Sequence, residues 1–172
     1  STALSDLDHA VIIVIGVWKR HVYILDVYLT KSPLPDEFIN QIISHWGMYR
    51  RQAKKMSFET VLFARTIKYY LEKEMAKHRM YININPVEDR RKKSDRIRQE
   101  ITDLAFSGCL HSNPRFDVFN DQFCSYPDVR HDDCLDALAI ALMGLEYTDI
   151  IEGEYEVIEE REYDSLEWRG CP

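Results

Sequence analysis

Two runs rich in Val, Ile and Tyr, His9 to Arg20 and His21 to Lys31, follow one another with only the polar stretch Trp18-Lys19-Arg20-His21 at their join. Such runs favour extended backbone, and a short polar join makes them the antiparallel strands of a hairpin. The first is apolar at nearly every position, which predicts burial on both faces and therefore a sheet covered by helices. Ser32-Pro33-Leu34-Pro35 breaks the second run, and Asp36 is placed to cap a helix whose apolar residues Phe38, Ile39, Ile42, Ile43 and Trp46 recur at helical spacing.

The remaining pattern alternates. A short strand over Lys55 to Glu59 leads into a helix over Thr60 to Lys77, marked by Leu62, Phe63, Ile67, Tyr70, Leu71 and Met75. Tyr81 to Asn85 reads as a strand ending at Pro86, and Arg90 to Phe106 as a basic helix with Ile97, Ile101, Leu104 and Ala105 on one side, stopped at Gly108. Cys109 to His111 adds a brief strand, Phe116 to Tyr126 a short helix, and Asp132 to Leu145 a strongly apolar one. Two antiparallel strands followed by alternating helices and short strands specify an α/β fold, a mixed sheet flanked by helices, over residues 1–147. Residues 148–172 have no core face and form an acidic tail.

The 172 residues suffice for one domain with a real core, and 45% apolar with 30% charged residues excludes a disordered or fibrous chain. The longest apolar run, Ala10 to Val17, falls far short of the roughly 20 residues that cross a bilayer, and no signal segment precedes it, so a soluble protein without a membrane partner is expected. Cys109, Cys124, Cys134 and Cys171 form no CxxC pair, which predicts reduced thiols.

A net charge of −7 argues against a nucleic-acid partner only as an average. Fifteen of the twenty-two basic residues fall between Arg50 and Arg98, and ten acids with only Arg161 between Glu146 and Glu167. Without residues 146–172 the chain holds twenty basic and nineteen acidic residues, a net +1.

The chemistry concentrates in Val129-Arg130-His131-Asp132-Asp133-Cys134-Leu135-Asp136-Ala137-Leu138-Ala139, an acidic cluster at the mouth of an apolar helix. One aspartate there caps orphan amides and complements the helix dipole; three are more than capping needs. Asp132 and Asp136 share a face at i, i+4, where like charges repel unless a cation intervenes, and a hard divalent ion with oxygen ligands is the natural compensation.

This segment, preceded by Gln122-Phe123 and Tyr126-Pro127, resembles the C-terminal signature of the large terminase nuclease domain of tailed bacteriophages and related viruses. Three further segments agree in order: Phe58-Glu59-Thr60-Val61-Leu62-Phe63, similar to a strand-ending Glu before a helix; Lys93-Ser94-Asp95-Arg96-Ile97, similar to a Lys-x-x-Arg-Ile helix; and Ser5-Asp6-Leu7-Asp8-His9-Ala10, similar to the loop entering the second strand. The resemblance covers about residues 1–145. It implies a ribonuclease H-like sheet whose acids bind two Mg²⁺ or Mn²⁺ ions, which clamp the attacking water and leaving oxygen of an in-line displacement and so cut concatemeric double-stranded DNA during packaging. It makes Glu59 and Asp133 metal ligands, Asp132 an adjacent ligand, His131 a group that orients a ligand or handles protons, and Asp8, ahead of Asp6, an accessory metal-binding acid.

One departure is plain. The family's first catalytic Asp closes a strand upstream of the segment that begins here at Ser1, so a further piece is expected in the intact protein, or Asp6 or Asp8 substitutes. No Gly-x-x-x-x-Gly-Lys-Ser/Thr loop occurs, which puts the packaging ATPase elsewhere on the same polypeptide. The resemblance further implies a small terminase subunit and a portal protein as partners, action in the host cell cytoplasm, and absence from the mature virion.

The tract Arg90-Arg91-Lys92-Lys93, continuing to Arg96 and Arg98, fits non-specific phosphate contact, and Arg50, Arg51, Lys54 and Lys55 form a second, weaker patch. His45 and His78 read as surface residues, and Trp18, Trp46 and the tyrosines as packing. Three other readings stay open: another ribonuclease H-like nuclease of resolvase or integrase type, a catalytically incomplete DNA-binding or motor-docking module, and a metal-binding structural domain.

Overall fold

The computed structural model describes residues 9–31 and 34–145, with the side chains of 61–66 excepted. Its elements run β1 (His9–Trp18), β2 (His21–Lys31), α1 (Pro35–Tyr49), β3 (Met56–Glu59), α2 (Thr60–Lys77), β4 (Ile84–Val87), α3 (Lys93–Phe106), β5 (Leu110–His111), α4 (Asp117–Ser125) and α5 (Asp133–Met143). The acidic tail, Asp6, Asp8 and the Ser32-Pro33 break lie outside the described residues. The chain gathers into two compact units, Ser1–Ala10 with Leu29–Arg90, and Val11–Tyr28 with Arg91–Pro172.

The first unit holds α1, β3, α2 and β4. Pro35 opens α1, where its missing N–H costs nothing, and the Leu34 N–H donates to Glu37 Oε2 at 3.2 Å. Glu37 therefore does the work expected of Asp36. Ile39, Ile42 and Ile43 form the buried face, and α1 packs on α2, where Ile67 and Leu71 are buried. β3 and β4 pair in parallel with Met56 opposite Ile84 and Glu59 opposite Val87. β4 lies later than the alternation of Tyr81 to Asn85 predicted, and it includes Pro86, which a two-stranded ribbon tolerates because each strand has an outer edge.

In the second unit β2 lies between β1 and β5. A two-residue turn makes β1 and β2 antiparallel, whereas β2 and β5 pair in parallel through Val22 opposite Leu110 and Tyr23 opposite His111, so the sheet is mixed. β1 is half-buried along its length rather than buried on both faces, because it is the edge of this sheet among the described residues. Lys19 and Arg20 occupy the left-handed region in the turn (φ 46° and 69°), as a two-residue hairpin turn demands. Trp18, expected to pack, is 48% exposed there, with the Lys19 ammonium 4.4 Å from its ring centroid.

Helices α3 and α4 both pack on α5, whose Cys134, Leu135, Leu138 and Ala139 are buried together with Ile97, Ile101 and Phe119. The α3 chain reverses at Gly108, whose φ of +69° disfavours any side chain although nothing lies within 4 Å of a Cβ built there. Gly108→Ala should therefore cost about 1 kcal/mol through backbone strain alone, read as a small fall in the urea midpoint. Cys124 is disulfide-bonded, which corrects the expectation of reduced thiols throughout; Cys109 and Cys134 are free. Among the described residues no helix is long and apolar enough to cross a membrane.

The β2–β5 seam also carries a histidine pair. His21 Nδ1 lies 2.8 Å from His111 Nε2, and the His111 ring stacks on Tyr23 with centroids 4.6 Å apart. Burial, then the neighbouring His21, lowers the His111 pKa below its ordinary value of 6.5. The folded state thus binds a proton less readily than the unfolded one, so stability is full above pH 6.5 and falls as pH drops from there toward the folded pKa. Urea midpoints at pH 7.5 and 5.0 should differ in that direction, and His111→Gln should narrow the gap.

Candidate metal and nucleic-acid site

The predicted acidic cluster sits where α5 begins, on the second unit. Asp132 is the N-cap residue of α5, but its side chain makes no capping bond. The orphan Cys134 N–H is instead satisfied by Gln122 Oε1 from α4 at 2.9 Å. With the cap supplied by an amide, the carboxylates of Asp132 and Asp133 turn to other partners.

Those partners come from α3. Lys93, its first residue, places Nζ 2.7 Å from Asp132 Oδ1 and 2.7 Å from Asp133 Oδ1, bridging the adjacent acids with one ammonium. One turn later Arg96 forks on Asp136, Nε to Oδ1 at 2.8 Å and an Nη to Oδ2 at 2.9 Å. Arg96 is 3% exposed, so this bidentate pair is internal. The i, i+4 repulsion between Asp132 and Asp136 is thus answered by two side-chain cations, where spacing alone suggested a divalent ion.

Burial works against the charge on Lys93, but the hydrogen bonds and charges of Asp132 and Asp133 outweigh it, and its pKa lies above the ordinary value. Tyr126 donates its hydroxyl to the Ser94 carbonyl at 3.1 Å; burial, then the Asp132 charge, raises its pKa. Cys134 is no nucleophile: burial first, then Asp133, pushes its thiol up to about 12.

His131 is half-buried just ahead of the acids, and it and Asp133 offer ligand atoms within 4.8 Å of one another. An imidazole and a carboxylate at that separation are donors that could hold a metal ion. Glu59, the other predicted ligand, belongs to the first unit, where it ends β3 and precedes α2; the neighbouring Thr60 hydroxyl donates to the Val87 carbonyl at 2.8 Å. Asp8 lies outside the described residues.

The basic tract divides by role. Arg90 and Lys92 are exposed, and Arg90 makes only a 3.5 Å contact with Glu88. Arg91 is held by Glu100 at 2.9 Å, by Gln99 and by the Met143 sulfur at 3.2 Å. Lys93 is engaged by the acids, and Arg96 faces inward where no phosphate can reach it. Of the six basic residues of the tract, Arg90, Lys92 and Arg98 are exposed to solvent, and Arg96 is buried against Asp136. The signal for that pairing was present in the spacing: Lys93 and Arg96 at i, i+3 on one helix match the acids at 132, 133 and 136 on the other. Gln122 as a cap across elements carries no such local signal.

Compared with known proteins, the chain matches no protein-family model and no curated protein.

Proposed function

We propose that this chain is a metal-dependent DNA endonuclease domain of the terminase large-subunit type, with a ribonuclease H-like fold. The observation that carries the reading is that His131 and Asp133 offer ligand atoms within 4.8 Å of one another at a helix mouth, beside an Asp132 whose side chain makes no capping bond, where the sequence resembles that family's signature. Asp132, Asp133 and His131 hold the ion, and Glu59 is the further ligand that the resemblance implies. A bound Mg²⁺ or Mn²⁺ supplies charge stabilisation for phosphodiester hydrolysis, with two ions expected. The chain's own contributions are to fix the carboxylates through α3 and α5, to orient His131 beside Asp133, and to meet DNA phosphates with Arg90 and Lys92. Double-stranded DNA is the substrate, and an ATPase domain of the same polypeptide, a small terminase subunit and a portal protein are the partners that the resemblance supplies, in the host cytoplasm.

The test is cleavage of plasmid DNA that requires Mg²⁺ or Mn²⁺, stops with EDTA, and is lost in Glu59→Ala. A second reading, a DNA-binding module without catalysis, is favoured by one specific feature: Lys93 and Arg96 already neutralise Asp132, Asp133 and Asp136 without any metal. DNA affinity without cleavage at high Mn²⁺ would select it.

A further inference from the structure

Among the described residues Lys93 touches both adjacent acids, and it does so from the first position of α3 with a side chain 36% exposed, next to the exposed Lys92. Its ammonium lies 2.7 Å from one oxygen of each carboxylate. A Mg²⁺ ion binding those same oxygens stands about 2.1 Å from them, within the space the ammonium fills, and two cations at such separation repel strongly. We propose that Lys93 is a resident placeholder for the divalent ion, so that metal uptake at Asp132 and Asp133 is an exchange in which the ammonium leaves the acids and turns to solvent. The inference rests on the metal-site reading above and deepens it.

The exchange has a consequence for DNA. In the metal-free chain Lys93 is occupied and contributes nothing to phosphate binding. Once displaced, it joins Lys92 at the start of α3, where a flexible ammonium serves as a point-charge phosphate contact. Metal loading thus adds a DNA contact at the place where the acids acquire their ion. Arg96 cannot share this behaviour, because its fork on Asp136 is buried and geometrically matched.

The test uses the full chain and Mn²⁺ alone. Calorimetric titration of the wild type, Lys93→Met and Lys93→Arg should give a Kd about tenfold tighter for Lys93→Met, which removes the competing charge, and little change for Lys93→Arg. In parallel, an amine-acylating reagent with mass-spectrometric readout should label Lys93 several-fold faster when Mn²⁺ saturates the wild type, with Lys92 unchanged. Mn²⁺ binding that is unaltered or weaker in Lys93→Met, or Lys93 labelling that does not rise with Mn²⁺ bound, overturns the exchange and leaves the metal site standing. No Mn²⁺ binding by any of the three removes the metal site and the exchange with it.

Discussion

Replacing Arg96 by Ala should lower the stability of the chain by about 3–5 kcal/mol, read as a large fall in the urea midpoint. The guanidinium is nearly fully buried, and its removal strands the Asp136 carboxylate, whose side chain is only 16% exposed, without its fork of hydrogen bonds. Asp136→Ala should cost a similar amount for the mirror reason. Replacing both together, Arg96→Leu with Asp136→Leu, should recover most of the loss, since neither charge is then left buried alone. A single-variant cost below about 1 kcal/mol would mean that water reaches the pair, and that α3 and α5 are joined by their apolar faces alone.

The same pair shows how far the sequence could be read. Helical periodicity located α1, α3 and α5, because each buries a stripe at the expected spacing: Ile39, Ile42 and Ile43; Ile97 and Ile101; Leu135, Leu138 and Ala139. Local patterns fail where the partner is remote in sequence. Whether β1 is central or at an edge depends on what pairs with it, and a run of apolar residues cannot express that; here it is half-buried. The shift of β4 onto Pro86 arises from its register with β3, which fixes Phe58 opposite Pro86. At the site, the acids at 132, 133 and 136 were visible as a cluster and the matching i, i+3 spacing of Lys93 and Arg96 was in the sequence, but that the two sets pair was not, because they lie 40 residues apart. A basic tract read as one DNA surface therefore resolves into three exposed cations, Arg90, Lys92 and Arg98, and three engaged ones.

The larger effect on activity is expected at Asp133. Asp133→Asn keeps the size and shape of the side chain and leaves Asp132 to hold Lys93, so the fold should persist. It removes half of the charge that a divalent ion needs at the mouth of α5, where His131 supplies only a neutral donor. Metal-dependent cleavage should drop by at least about a hundredfold, more than loss of a group that merely orients a ligand. Asp136→Asn should behave differently, since Asp136 answers Arg96 and lies outside the proposed donor set: its cost falls on stability, with cleavage by the folded fraction retained.

Nicking and linearisation of supercoiled plasmid by the full chain, with Mg²⁺, Mn²⁺ or EDTA and with Asp133→Asn alongside, tests the central claim most directly. The account predicts cutting in either metal, none in EDTA, and loss in the variant. Cutting that survives EDTA, or that Asp133→Asn performs as well as the wild type, would contradict it.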